Sequence, residues 1–167
     1  MAIFESFNGN GNYRNENAIA LVTKYIFNPY KTLSGCFGGY GVNRQCPIES
    51  MTNVSEQFGK RTGVQLRHYA VSFALYELNE PKIADEIGRR IAEFIGQEYQ
   101  ALYAVHENCN HLHIHIVSNA VSYIDGHRFY GRRREFYALM EGIRQILWDY
   151  GITKFMYVSK KEDIPST

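Results

Sequence analysis

Cysteine is scarce in this chain, and long apolar runs are missing altogether. The chain has 167 residues and three cysteines, none of them in a C-x-x-C pair, which argues against an oxidising compartment. No stretch of 18 apolar residues occurs, so no membrane-spanning helix is predicted. The N-terminal segment also lacks a basic region followed by an apolar one, so no secretory signal is predicted. We therefore expect a cytoplasmic protein.

Net charge is nearly absent as well, since 18 Lys and Arg face 17 Asp and Glu. Charge alone therefore does not indicate a nucleic-acid-binding protein. The basic cluster GRRRE at 131–135 is a local exception, although such a triplet is more often a solvated helix face than a phosphate clamp. With 45% hydrophobic residues, the chain can bury one sizeable core, and we predict a single domain over 1–167.

Hydrophobic spacing and turn residues predict a mixture of strands and helices. Strands are predicted at 1–7, 67–78, 99–106, 111–121 and 154–160, and helices at 15–27, 81–97 and 133–151. Residues 31–63 are rich in Gly, Asn and Ser and predict a long loop with a short helix near 50–58. The dipeptide Asp125-Gly126 indicates a tight hairpin turn. This order predicts an α+β fold with an antiparallel central sheet and helices packed on one face.

Four of the six histidines stand within ten positions of the segment HENCNHLHIHIVSN, residues 106–119. Side chains at every second position of a strand share a face. His111, His113 and His115 therefore point one way, and the Leu and Ile residues between them belong in the core. Burying three uncharged imidazoles without partners would cost roughly 1–3 kcal/mol each. A metal ion removes that cost because it accepts a nitrogen lone pair from each ring.

Strand geometry limits which of these histidines can share one ion. Positions four apart are separated by roughly 13 Å, so His111 and His115 cannot chelate together without a bend, whereas an adjacent pair can. His106 ends the preceding strand and can face such a pair across the hairpin, where opposed residues lie about 5 Å apart. Spacing alone leaves both the 111/113 and the 113/115 pair open. Two further alternatives remain open: Cys109 could be an additional ligand, or the histidines could only hydrogen-bond across the sheet without a metal.

The histidine segment resembles the motif of relaxase, or mobilisation nuclease, domains of conjugative and mobilisable plasmids, which belong to the HUH endonucleases. In that family a first histidine and a short polar loop precede His-hydrophobic-His and then an asparagine. His106, His113-Ile114-His115 and Asn119 match this pattern. The resemblance selects the 113/115 pair and leaves His111 outside the direct ligands. It also implies the HUH-endonuclease fold, with a ferredoxin- or RRM-like palm.

The upstream segment KYIFNPYKT, residues 24–32, resembles the family's tyrosine segment. The resemblance implies Tyr25 as the catalytic nucleophile, with Tyr30 as the alternative. The implied reaction nicks one DNA strand at a transfer origin through a 5′-phosphotyrosine intermediate, which initiates mobilisation. Exchange of the phosphodiester bond, rather than hydrolysis, keeps its energy for religation. At helical spacing from Leu21 and Val22, Tyr25 could also be an ordinary core residue.

The implied cofactor is a divalent ion held by His106, His113 and His115. The resemblance favours manganese or magnesium, and three imidazoles also suit zinc or nickel in raw affinity. Outer residues are expected around this site, namely His68, Ser72, Glu107, Asn108, His111 and Asn119. Many relatives carry an aspartate where this chain has Asn108, so the strength of catalysis depends on whether Asn108 or Glu107 can replace it.

A groove for single-stranded DNA combines basic residues with aromatic platforms. That mixture follows the hairpin turn and recurs near the N-terminus, and it predicts the DNA-binding residues Arg128, Tyr130, Arg132, Arg133, Arg134, Lys31 and Arg44, extended by Phe129, Tyr13, Arg14 and Tyr40. The resemblance implies single-stranded DNA and accessory relaxosome proteins as partners. Because relaxases usually continue into further regions, we expect either a minimal protein or a nuclease-domain fragment.

Three other functions fit parts of the pattern. A rolling-circle replication initiator shares the chemistry but usually places its tyrosine after the histidines. A small-molecule metallohydrolase would use a metal-generated hydroxide and no covalently modified tyrosine. A non-catalytic DNA-binding remnant would keep the fold without the activity.

Overall fold

The computed structural model describes residues 1–7, 13–108 and 111–161. Six strands and four helices lie within these ranges. In chain order they are β1 (Ala2–Phe7), α1 (Ala18–Ile26), β2 (Thr32–Tyr40), α2 (Pro47–Gln57), β3 (Leu66–Ser72), α3 (Pro81–Ile95), β4 (Ala101–Asn108), β5 (His111–Asn119), α4 (Arg133–Trp148) and β6 (Phe155–Lys160). Cys109, considered above as a metal ligand, lies outside the described residues.

The six described strands form one mixed sheet in the order β2-β4-β5-β3-β1-β6. The pairings from β2 through to β1 are antiparallel, and β6 runs parallel to β1. The two histidine-bearing strands, β4 and β5, are therefore neighbours inside the sheet. The predicted α+β class and the antiparallel centre are confirmed.

Helices cover both faces of the sheet, which corrects the expectation that they pack on one. α3 and α4 cover the face that includes Val105, Ile114 and Ile116. α1 covers the other face over Ala104 and Val117, with α2 at its margin. The alternation along 111–119 placed His111, His113 and His115 on this second face. The alanines and valine between those histidines make this face apolar enough to be buried.

The structure has a strand where a loop was predicted. β2 is an edge strand whose sequence, TLSGCFGGY, is too rich in glycine to show a strand pattern. Its pairing with β4 shifts register between Thr32 and Phe37, and Gly35 adopts a φ of 73° within the shift. Glycine takes this left-handed conformation without the steric cost of a Cβ. A bulge therefore bends the edge strand next to the histidines.

The other predicted elements are present with shifted ends. The short helix expected near 50–58 extends over Pro47–Gln57, and the strand expected over 67–78 ends at Ser72. None of the helices in the described part of the chain is long and apolar enough to cross a membrane.

The predicted turn at Asp125-Gly126 is present, but it does not join two strands. Gly126 has a φ of 77°, and the flanking residues Val121 and Arg128 form one isolated bridge. The Arg128 guanidinium donates to two backbone carbonyls of the loop before β3, over 2.9 and 2.7 Å. The turn is thus fastened to the body of the domain through Arg128.

The orientation of α1 on the sheet determines which of its side chains lie near the histidines. Its buried apolar residues recur at helical spacing and pack into the core beneath the helix; they are Ala18, Ile19, Val22 and Ile26. The helix ends at Ile26, one residue before the predicted end, and Pro29 follows closely, since proline disfavours helix in the residue before it. Tyr25 therefore stands half-buried at the border of the packed side of α1.

Candidate active site

Three histidines converge on the face of the sheet that α1 covers. His106 of β4 pairs directly with His113 of β5, and His115 follows two positions along the same face. Their ring centroids lie between 4.6 and 5.5 Å apart. One ligand nitrogen from each ring lies within 4.8 Å of the others. The structure thus brings together the histidine set that the resemblance implies.

Small neighbours leave room above His115. Ala104 and Ala70 pair with it from the strands on either side. Opposed residues of neighbouring strands share a face, so larger side chains at these two positions would fill the space over the imidazole. The ring of Tyr25 stands there instead, with its centroid 5.5 Å from that of His115 and an interplanar angle of 89°.

Tyr25 lies over the cluster, at the edge of the core beneath α1, against which it also packs. Its ring centroid is 6.0 Å from that of His106. The Lys31 ammonium lies 5.0 Å from the centre of the same ring. Burial raises the pKa of the Tyr25 phenol, so positive charge close to its oxygen is needed to form a phenolate near neutral pH.

The alternative nucleophile, Tyr30, is placed differently. It lies on the turn after α1 and is 96% exposed. Its backbone N–H donates to the Asn28 side-chain oxygen over 2.9 Å, which holds the turn and leaves the phenol in solvent. The structure brings Tyr25, and not Tyr30, onto the histidine cluster.

The end of α1 is tied to the cluster through one carbonyl. The last carbonyls of a helix have no partner within the helix. Here the Ile26 carbonyl accepts hydrogen bonds from His106 Nε2, over 2.7 Å, and from Thr32 Oγ1, over 2.8 Å. Since His106 donates through Nε2, its Nδ1 carries the lone pair. The same contact therefore positions α1 and fixes the tautomer of a candidate metal ligand.

A chain of hydrogen bonds leads away from His115. Its Nδ1 lies 2.9 Å from Nε2 of His68, and Nδ1 of His68 lies 2.9 Å from the hydroxyl of Tyr13. All three side chains are buried, and Phe7 stacks on the His68 ring at 4.5 Å. If His115 is to offer its Nε2 lone pair to an ion, its Nδ1–H donates to His68, which then donates to Tyr13.

The buried imidazoles are held in the neutral form. Burial lowers the pKa of His113 to about 4 and that of His68 to about 3, and it also lowers the pKa of His106 and His115. Neutral imidazoles keep the lone pair that a divalent ion accepts. Three nitrogen donors around one space fit a divalent transition ion. The donor set therefore suits a divalent transition ion better than magnesium, which prefers oxygen ligands.

Ser72 and Asn119, two of the residues predicted around the site, lie at different distances from the histidines. Ser72 pairs with His113 across β3 and β5 and borders the cluster. Asn119 is fully buried four positions beyond His115 along β5. Its side-chain amide donates to the Met51 carbonyl over 2.9 Å and so holds α2 to the sheet. This bond links Asn119 to α2, and its role around the histidines stays a prediction.

The other outer residues, Glu107, Asn108 and His111, are exposed at the hairpin end of β4 and β5. Nδ1 of His111 lies 3.4 Å from the Phe73 carbonyl. Glu107 follows His106 by one position and therefore points to the opposite face of the sheet. Asn108 shares the histidine face, two positions beyond His106, and carries a neutral amide.

The predicted DNA-binding residues are divided between the two sides of the sheet. Lys31 lies beside Tyr25, and Arg44 lines a cavity that Thr32 also borders. Arg128 is committed to backbone carbonyls through one of its guanidinium nitrogens.

The basic cluster at the start of α4 lies elsewhere. The guanidinium groups of Arg132 and Arg133 stack on Tyr130 and Tyr137 at 4.9 and 5.7 Å. Arg134 lines a cavity on the side covered by α3 and α4. The structure therefore does not bring this cluster together with the histidines, and its role in DNA binding stays a prediction.

Sequence reasoning missed two contacts of the site. Tyr13 was expected in the DNA groove, yet its hydroxyl bonds to His68, 55 positions away. Thr32 belongs to the tyrosine segment, and its hydroxyl shares the Ile26 carbonyl with His106. Neither contact has a sequence signal, because each depends on tertiary packing between distant segments.

An α+β sheet with three histidines on adjacent strands, beneath a tyrosine of the first helix, has the form expected of HUH endonucleases. A family model described as "Relaxase: MobA/VirD2-like, nuclease domain" matches residues 25–152. The chain belongs to this family.

Curated proteins are also similar to this chain, and one of them is named a relaxase. The group II intron-interrupted relaxase LtrB of Lactococcus lactis subsp. cremoris (strain MG1363) is 28% identical over 145 residues, covering 71% of this chain and 26% of the relative. The protein rlx of Staphylococcus aureus is 31% identical over 78 residues, covering 47% of this chain and 24% of that protein. The chain thus spans about a quarter of the length of these relatives.

Proposed function

We propose that this chain is the nicking domain of a relaxase, which cuts one DNA strand at a transfer origin with Tyr25 as its nucleophile. Family membership supports the proposal. The observation that carries it is the position of the Tyr25 ring, 5.5 Å from His115 and 6.0 Å from His106 by ring centroids.

The proposed reaction exchanges one phosphodiester bond for another. The Tyr25 oxygen bonds to the scissile phosphorus while the bond from phosphorus to the 3′-oxygen breaks. The protein keeps the 5′-phosphate, and the other DNA end gains a free 3′-hydroxyl. The phenol gives up its proton, and the departing 3′-oxygen takes one up. No water is consumed, so the step can be reversed to religate the strand.

His106, His113 and His115 would hold a divalent ion, and manganese or magnesium is proposed. When bound, the ion offsets negative charge on the non-bridging phosphate oxygens and helps to orient the phosphate. Neighbouring residues of the chain determine which ring nitrogen of two of these histidines carries the proton. The Ile26 carbonyl accepts a hydrogen bond from His106 Nε2–H and so fixes the tautomer of His106. Nε2 of His68 would accept a hydrogen bond from the Nδ1–H of His115 and so leave its Nε2 free for the ion.

Lys31 supplies positive charge to the nucleophile. Burial raises the pKa of Tyr25, which disfavours the phenolate. The Lys31 ammonium lies 5.0 Å from the ring centre, on a flexible side chain that can reach the phenol oxygen. We expect it to stabilise the phenolate and then the phosphate joined to it.

Single-stranded DNA at a transfer origin and accessory relaxosome proteins are the proposed partners, and the cytoplasm is the proposed location. These assignments rest on the family and on the designation of one relative as a relaxase. They concern a longer protein of which the chain matches about a quarter.

The proposal is tested by covalent capture. The chain is incubated with Mn²⁺ and a pool of random single-stranded oligonucleotides, and the intact protein is then weighed by mass spectrometry. We expect a nucleotide adduct that maps to Tyr25 and does not form when EDTA is present. Sequencing of the attached strands would identify the preferred cleavage site.

The neighbouring tyrosine provides a matched control. The substitution Tyr25→Phe should abolish the adduct, whereas Tyr30→Phe should leave it unchanged because Tyr30 is exposed. An adduct that persists in Tyr25→Phe, or DNA hydrolysis without any adduct, would rule out the proposed nucleophile. A metallohydrolase would keep its activity in that variant.

A further inference from the structure

A cavity of about 560 Å³ lies beside the candidate active site. Its walls come from the turn after α1, the bulged part of β2 and the start of α2, and its floor includes Leu102 of β4. Leu102 shares a sheet face with His106, four positions along the same strand. The cavity therefore opens on the histidine side of the sheet, and its volume is in the range of small-molecule pockets.

One residue belongs to both the cavity and the histidine cluster. Thr32 lines the cavity, pairs with His106 across β2 and β4, and shares the Ile26 carbonyl with it. A group bound in the cavity would thus be separated from the histidines by one side chain. A strand of DNA with its phosphate at the histidines would reach this cavity within the neighbouring nucleotides.

The walls of the cavity suit a flat aromatic group. Phe27 and Phe37 meet edge to face there, with ring centroids 5.8 Å apart. Phe37 is 54% exposed, so part of its ring surface is free to be covered. Bases of single-stranded DNA stack on exposed aromatic rings with little dependence on sequence.

The charge of Arg44 and the exposed backbone of β2 also favour a nucleotide in this cavity. Arg44 is exposed at the rim of the cavity, where it can contact a phosphate or the edge of a base. β2 is the edge of the sheet, so its outward backbone groups are not taken up by another described strand. The bulge at Gly35 bends this edge where it borders the cavity.

We propose that this cavity binds one unpaired base of the DNA strand whose phosphate lies at the histidine cluster, with Phe37 as the stacking platform. The inference rests on the proposed function, because it assumes that the strand passes over the histidines. It assigns Phe37 a part in positioning DNA and none in the bond exchange.

The test compares two single-stranded probes of equal length and charge. One is an oligothymidylate, and the other carries the same phosphates on abasic sites. Binding of each is measured by fluorescence anisotropy over a series of salt concentrations. For Phe37→Ala we expect the affinity for the oligothymidylate to fall at least about fivefold. The affinity for the abasic probe and the salt slope should change little, because the phosphate contacts remain.

Two further variants separate stacking from a general effect on folding. Phe37→Trp should keep the preference for the probe with bases. Phe94→Ala is the matched control, since Phe94 is 40% exposed and lies on the side covered by α3 and α4. It should change neither affinity. In addition, a 5-iodouracil in the oligothymidylate should crosslink under ultraviolet light to the peptide that contains Phe37.

The outcomes distinguish this inference from the proposed function. If Phe37→Ala binds both probes like the unchanged protein, or loses affinity for both equally, no base stacks on Phe37 and the inference is wrong. If that occurs while the Tyr25 adduct still forms, the nicking proposal stands without the base pocket. If the preference depends on Phe37 and no adduct forms, the pocket stands and the nicking proposal does not.

Discussion

At the scale of single residues, two of the three candidate ligand imidazoles, His106 and His115, have one ring nitrogen held by another group. His106 donates to the Ile26 carbonyl, and His115 bonds to His68, which bonds in turn to Tyr13. Partners of this kind fix the tautomer and orientation of a metal ligand. His68 of β3 is thus placed to orient His115, a candidate ligand of the neighbouring strand β5.

His68 provides a test of this orientation. The substitution His68→Phe keeps a ring against Phe7 but removes the acceptor for His115, so we expect Mn²⁺ affinity to fall by about 10- to 100-fold. His68→Gln, whose amide oxygen can accept in a similar place, should retain most of the affinity. Isothermal titration calorimetry measures both. Equal Mn²⁺ affinity in His68→Phe and the unchanged protein would mean that His68 only packs.

At the scale of helices and strands, the sequence predicted most elements but not how they surround the site. The alternation around His113 and His115 identified β5, and the apolar spacing of α1 with Pro29 identified that helix. β2 was missed because its glycines hide the strand pattern, although its Thr32 contacts the cluster.

Other features of the site could not be predicted because they depend on tertiary packing. The covering of the histidine face by α1 depends on the small residues Ala70 and Ala104 on neighbouring strands, which make room for Tyr25. Such contacts join distant segments and leave no period in the sequence. The position of Tyr25 was implied by the family resemblance alone, since spacing also allowed it to be a core residue.

At the scale of the whole molecule, burying several neutral histidines makes stability depend on pH. In the unfolded chain a histidine has a pKa of about 6.5. In the folded chain burial lowers the pKa to about 4 for His113 and about 3 for His68, and it lowers that of His106 and His115. The unfolded chain therefore binds more protons than the folded one as the pH falls below 6.5.

Stability that is present above about pH 6.5 is therefore lost progressively as the pH falls towards the pKa values of the folded chain. Each such histidine lowers the free energy of unfolding by up to about 1.4 kcal/mol per pH unit in that window. Urea unfolding without added metal, between about pH 7.5 and about pH 5, measures this slope. His68→Phe should reduce it by the share of one histidine. A free energy that does not change over this range would contradict the buried, neutral state of the cluster.

The central claim is that one ion, held by His106, His113 and His115, lies within reach of the Tyr25 oxygen. A crystal structure of the Mn²⁺-loaded protein, with anomalous diffraction recorded at the manganese edge, locates that ion directly. We predict a single anomalous peak bonded to nitrogens of the three histidines, with the Tyr25 phenol facing it. A peak elsewhere, or a Tyr25 ring turned away from an occupied site, would contradict the account.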